Sequence, residues 1–407
     1  MSLVSLAWRS LANRPLAAGL TVLSVALSVF LLLGVEKLRE GARDTFLRSV
    51  SGTDLIVGGP TSDVALLLHA VFGIGEPTPP ISYEAFEGVR DRPGVRWAVP
   101  VQLGDGHRGY RVIGTAPAYF EHVRTGRDRP LRFSAGGAFG TGAEAVLGAE
   151  AAERLGYDLG RAIVLSHGTG EADFAGTHAD APVRVVGILE RTGTPIDRAV
   201  LVPLEALARM HAGAGGAGGT DADAPAITAV FVGLRSRIAV FSVQRYLARE
   251  VGEPVSAVLP GLAFARLWRV VGQAEAALVA VSLIVVVTAA IGLAVAILSQ
   301  LEGRRREMAI LRAVGASPWD VSLLFVLEAA TVTAAGIALG AGALYAALWL
   351  GGGLLEARLG LALPLQAPSG REGLFVLVVA TAGLLAGLLP AWRAYRTSLH
   401  DGLTVRS

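Results

Sequence analysis

The chain has 407 residues, 52% hydrophobic and only 17% charged, where a soluble domain carries about 25% charged residues. Its mean hydropathy of +0.53 puts it among membrane proteins. A net charge of +2, with basic residues in short pieces beside apolar runs, argues against nucleic-acid binding. The absence of Cys excludes disulfides, Cys-ligated zinc or iron–sulfur centres and a thiol nucleophile.

The first element is the amphipathic stretch Leu3–Leu11, which reads as a helix on the inner membrane surface. It leads into Leu16–Val35, the first of four charge-free apolar runs. The others are Ala276–Leu298, Ala329–Leu350 and Leu374–Trp392, each long enough to cross about 30 Å of hydrocarbon as a helix. The first run is longer than the apolar core of a signal peptide, and Val35-Glu36-Lys37 is no small-residue cleavage site, so an uncleaved span is predicted.

Residues 36–273 change character, with Pro79-Pro80, Pro93-Gly94 and Gly136-Gly137 as turn signals. Strands are predicted at Asp54–Val57, Arg96–Val101, Arg111–Ile113, Arg161–Leu165, Val183–Ile188, Val200–Val202 and Ala229–Val232. Helices are predicted at Ser82–Val89, Ala143–Leu155, Leu204–Met210 and Val240–Arg249. The Gly-rich patch Ala212–Ala224 reads as a loop. The fold class is thus a membrane protein with four transmembrane helices and a large α+β domain between helices 1 and 2. Its divisions are residues 1–35, 36–273, 274–298, 299–320, 321–350, 351–373, 374–392 and 393–407.

Arginine orients the chain. Arg304, Arg305, Arg306 and Arg312 fall between spans 2 and 3, and Arg393, Arg396 and Arg406 follow span 4. Both segments, and both termini, are therefore predicted to be cytoplasmic, and the α+β domain lies outside. Lys37, Arg39, Arg43 and Arg48 after the first span count against this orientation. Long translocated domains obey the rule poorly.

The loop Leu301–Asp320 reads as a short amphipathic helix. Met308 and Leu311 share a face, Ile310 and Val314 lie beside it, and Gly315 suits a left-handed cap. Ser317 and Pro318 suit the start of the next helix. By composition this is either an anchor on anionic headgroups or a protein-docking helix. Glu328 in the third span is either a contact or gating group facing a partner or an interfacial acid on a tilted helix. Gly336-x-x-x-Gly340 and Gly383-x-x-x-Gly387 are small-residue patterns for close helix packing.

Six of the seven His lie in residues 36–273 without metal-ligand spacing, with His167, Asp173 and His178 as the least scattered set. No nucleophile-elbow motif accompanies Ser166-His167. No catalytic, cofactor-binding or metal-binding residues are assigned.

The run Arg304, Arg305, Arg306, Glu307, Met308, Ala309, Ile310, Leu311, Arg312, Ala313, Val314, Gly315, Ala316 resembles the cytoplasmic loop of ABC-transporter permeases of the FtsX-like and MacB-like type. Glu328, Gly336 and Gly340, and the ending Pro390, Ala391, Arg393, Ala394, are similar to the family's third and fourth spans. Asp54–Val57, Ala145–Gly156 and Val183–Leu189 resemble strand and helix segments of its MacB-like periplasmic domain. The resemblance implies a non-catalytic permease subunit in the bacterial inner membrane, driven by a separate ABC ATPase dimer that carries ATP and Mg. No nucleotide-binding domain is read at either end, no Walker A motif occurs, and Lys37 is the only Lys. It further implies a second permease copy or homologue, and a lipoprotein, peptide or drug-like substrate or a periplasmic protein partner. The coupling residues so implied are Arg304, Arg305, Arg306, Glu307, Met308, Ile310, Leu311, Arg312, Val314 and Gly315. The alternative is an ATP-independent membrane sensor or scaffold whose outer domain binds a partner.

Overall fold

The structure is a computed structural model. It describes residues 15–126, 128–140, 142–167, 182–213, 226–236, 238–303, 310, 313–359 and 368–396. Leu3–Leu11, the Gly-rich patch beyond Gly213, and the Asp173 and His178 positions lie outside the described residues. The chain divides into two compact units: a helical unit of residues 1–42, 272–359 and 363–407, and an α+β unit built on 43–271.

Four helices are long and apolar enough to cross a membrane: Pro15–Ser49, Pro260–Gly303, Pro318–Leu359 and Gly370–Arg396. The first three extend well past their apolar stretches, and each has a proline as its first residue, where the missing amide costs no helical hydrogen bond. The fourth starts at a true cap: the Glu372 amide donates to Ser369 Oγ at 3.4 Å.

In the helical unit the core lies in two layers. Leu293, Ile297, Val321, Phe325 and Val332 fill one, and Val25, Val29, Leu33, Val286 and Leu344 the other. The third helix is central, half of its apolar window being buried against a third in the others. Leu16, Leu20, Leu23, Leu27 and Leu31 of the first helix stay exposed at three- and four-residue spacing, as a lipid-facing stripe requires.

The α+β unit is one large mixed sheet. Its spatial order is Ser256–Val258, Leu55–Gly58, Ala229–Leu234, Val95–Gln102, Tyr110–Thr115, Ala199–Pro203, Glu144–Leu147, Val183–Leu189, Phe133–Gly136. Two neighbour pairs are parallel: Tyr110–Thr115 with Ala199–Pro203, and Glu144–Leu147 with Val183–Leu189. Leu55–Gly58, Ala199–Pro203 and Ala229–Leu234 are buried along their whole length, which explains their unbroken apolar runs.

One expectation fails. Ala143–Leu155 is not a single helix. Glu144–Leu147 is a strand between two others, and only Ala149–Leu155 is helical. Gly148 makes the corner, where a Cβ would run into the carbonyl oxygens of Ile196 and Asp197. Sheet pairing on both sides overrides the local helical tendency of the Ala- and Glu-rich segment.

Candidate functional site

The turn between the second and third spanning helices is described only from Ile310 and Ala313 onward. Arg304, Arg305, Arg306, Glu307, Met308, Leu311 and Arg312 lie outside the described residues. Val314 donates its amide to the Ile310 carbonyl at 3.0 Å, so this piece closes a helical turn. Gly315 follows with φ +104°, a conformation that suits glycine alone. Ser317 and Asp320 then cap the third helix reciprocally. The Asp320 amide donates to Ser317 Oγ at 3.2 Å, while Ser317 N and Oγ donate to Asp320 Oδ2 at 2.8 and 2.7 Å. The result is a sharp corner that exposes Ile310 (59%), Val314 (84%) and Trp319 (68%) together in sequence.

Inside the bundle the small residues sit at contacts. A Cβ on Gly336 would come within 2.6 Å of Val25 Cβ, and one on Gly340 would strike the Ala26 carbonyl oxygen and approach Val29 Cβ at 2.9 Å. Those two glycines let the third helix close on the first. Gly383 faces Thr333, and a Cβ on Gly387 would lie 2.5 Å from Ala329 Cβ, so the fourth helix closes on the third. Glu328 is 2% exposed and has a partner within the protein. Its neighbours along the helix, Phe325, Ala329 and Val332, belong to the core.

The opposite end of the bundle carries a charge cluster that reading the sequence did not assign. Lys37 Nζ lies 2.9 Å from Glu372 Oε1, with side chains 7% and 3% exposed. Arg39 Nε is 2.6 Å from Glu275 Oε1, and Arg39 Nη1 donates to Glu36 Oε1 at 2.8 Å. Arg371 Nη1 stands 3.6 Å from Glu36 Oε1, and Tyr345 donates its hydroxyl to Glu372 Oε2 at 3.5 Å. Three cations face three carboxylates, and all four helices contribute. The signal in the sequence was charges of both signs at the ends of three of the four apolar runs.

The end of the first helix and the start of the second belong to the α+β unit. Phe46, near the end of the first, stacks on Phe72 at 4.6 Å and on Phe264 at 4.5 Å, near the start of the second. Trp268 continues the stack 5.2 Å from Phe264. Residues 43–49 and 260–268 are thereby fastened to the apolar face of the sheet.

No group of three or more metal-ligating side chains occurs among the described residues. His107, a scattered candidate, is occupied structurally. Its Nδ1 hydrogen-bonds with the Val164 carbonyl at 2.7 Å and its Nε2 with the Tyr157 hydroxyl at 3.1 Å.

Two family models match the chain: the MacB-like periplasmic core domain over residues 18–250 and the FtsX-like permease C-terminal over residues 279–399. No curated protein matches it. Among solved structures it is similar to the periplasmic region of MacB from Actinobacillus actinomycetemcomitans. That match has 12% identity and a TM-score of 0.35, and covers 55% of this chain and 97% of that one. It is also similar to the extracellular domain of the noncanonic ABC-type transporter YknZ from Gram-positive bacteria. There the identity is 15% and the TM-score 0.31, with 50% of this chain and 98% of that one covered.

Proposed function

Because the chain belongs to the FtsX-like, MacB-like family of ABC-transporter-type permeases, we propose that it couples a separate ABC ATPase dimer to movement of its α+β domain. Members of this family are multi-pass membrane proteins that work with ABC ATPase partners and are generally non-catalytic. In this reading ATP and Mg are handled by the partner ATPase, and a second copy or a homologue completes the membrane part. The termini and the Ile310–Asp320 corner face the cytoplasm of a bacterial inner membrane. The α+β domain works outside on a lipoprotein, peptide or drug-like substrate or a periplasmic protein. Pairing of Lys37 and Arg39 with bundle carboxylates supports this orientation, since it removes them from the tally of free basic residues after the first span.

The observation that carries the reading is the corner itself. Ile310 and Val314 are apolar and exposed, on a turn closed by Gly315 and locked by the Ser317–Asp320 box. A mere connector needs no such rigidity, whereas a helix-in-groove contact needs an apolar stripe held at a fixed angle. The test is Leu311→Asp and Val314→Asp in the full chain. Each puts a charge into a desolvated contact, at a cost of several kcal/mol. The expected result is loss of ATPase copurification and of transport-linked ATP hydrolysis with membrane insertion retained. An unchanged complex in both variants would return the corner to a lipid-surface role.

A further inference from the structure

The helix Ala239–Arg249 of the α+β unit has two unlike faces. Val240, Val243 and Leu247 are buried in one apolar cluster with Leu55, Phe86 and Val232. The opposite ridge runs through Ile238, Phe241, Arg245 and Arg249, in steps of three or four residues. Ile238 precedes the helix but has helical backbone angles (φ −70°, ψ −26°), so it continues the ridge. Ile238 is 76% exposed and Phe241 66%, and both arginines are exposed beside them.

The ridge is held still by its flanks. Arg92 lies over the Tyr246 ring at 4.3 Å and donates to the two Glu250 oxygens at 3.1 and 3.2 Å. The Pro93-Gly94 turn packs against the start of the helix, where a Cβ on Gly94 would come within 2.9 Å of Ala239 Cβ. The nearby acids are already matched. Arg92 takes Glu250, and Arg90 takes Asp91 and Glu87. The side chains of Arg245 and Arg249 make no hydrogen bond or ion pair among the described residues. The ridge therefore offers two apolar anchors at one end and two uncommitted guanidinium groups at the other, over about 17 Å at 1.5 Å per residue.

That charge pattern selects the occupant. An interfacial helix buries a broad apolar face in lipid, and here the broad face is already taken by the domain's own core. A second copy, meeting ridge with ridge, would set arginines against arginines or against Ile238, with no carboxylate to receive them. A partner with carboxylates fits, because a planar guanidinium meets each carboxylate through two parallel hydrogen bonds.

We propose that this ridge docks an acidic amphipathic helix of another protein, its apolar side chains on Ile238 and Phe241 and its carboxylates on Arg245 and Arg249. The docking does not depend on coupling to an ATPase.

The test uses the full chain in nanodiscs of zwitterionic lipid and the fluorescence anisotropy of a labelled helical peptide. The probe peptide carries two leucines and, one and two turns farther along the same face, two glutamates. A control peptide has lysines in place of the glutamates. The glutamate peptide should bind saturably, more weakly as salt rises, and at least about tenfold tighter than the lysine peptide. Phe241→Ser should weaken it at least about fivefold. Arg245→Glu combined with Arg249→Glu should invert the preference, so that the lysine peptide becomes the tighter ligand. All three substitutions fall on exposed side chains, and misfolding does not produce an inversion. A glutamate peptide that does not bind saturably, or a preference that the charge reversal leaves unchanged, would overturn the proposal. So would Phe241-dependent flotation with phosphatidylglycerol vesicles, which marks a lipid surface, or Phe241-dependent self-association in the ultracentrifuge, which marks a second copy.

Discussion

Lys37→Met removes the cation from a pair 2.9 Å apart whose side chains are 7% and 3% exposed. At an effective dielectric constant of about 20 that contact carries about 6 kcal/mol of Coulomb attraction. Desolvation of the two ions consumes most of it, several kcal/mol for each. Removing Lys37 alone cancels the attraction and leaves Glu372 buried with only the distant Tyr345 hydroxyl, so a loss of about 3–5 kcal/mol is expected. Glu372→Met takes the buried carboxylate from Lys37 but leaves it the face of Tyr345, 5.8 Å away, and should cost as much or somewhat less. The double variant removes both desolvation terms with the attraction, and should lie within about 1–2 kcal/mol of wild type. Equilibrium unfolding in mixed micelles, followed by the fluorescence of the six Trp, reads all four proteins. Two single variants each within about 1 kcal/mol of wild type, as exposed pairs behave, would refute the argument. So would a double variant whose loss equals the sum of the singles.

Three further outcomes follow from the geometry. Gly340→Ala should destabilise the bundle by about 1–3 kcal/mol, because backbone at Ala26 blocks the added methyl, while Gly342→Ala, with nothing within 4 Å, should be neutral or slightly favourable in the same unfolding assay. Asp197 accepts hydrogen bonds from Thr192 N, Thr192 Oγ1 and Gly193 N, yet burial holds its carboxyl above the usual range. A folded pKa above the unfolded one means Asp197 adds stability at pH below the ordinary carboxylate value and loses it as pH rises through the folded value. The difference in stability between wild type and Asp197→Asn should therefore change across that window, and a pH-independent difference would contradict it. Finally, spin labels at Asp54 and Arg249 should change their distances between copies when ATP is trapped on the partner ATPase. Identical distributions in an active assembly would leave the α+β domain a static platform.

Much of this architecture is local and could be read directly. The four spans follow from apolar runs with no charge, and the strands at Arg96–Val101, Val183–Ile188 and Ala229–Val232 from β-branched runs between turn residues. The Gly315 turn and the Ser317 cap announce themselves through residue types whose backbone and hydrogen-bonding preferences act within a few positions. The close-packing glycines were readable as a pattern, but not their partners: Val25 and Ala26 lie hundreds of residues from Gly336 and Gly340. Only the tertiary structure decided which charges meet. Lys37 looked like a basic flank of the first span until the fourth helix brought Glu372 against it. Likewise Glu144–Leu147 became a strand because neighbours on both sides satisfied its backbone. Such choices rest on pairings between distant segments, whose energies appear only once the chain has closed upon itself.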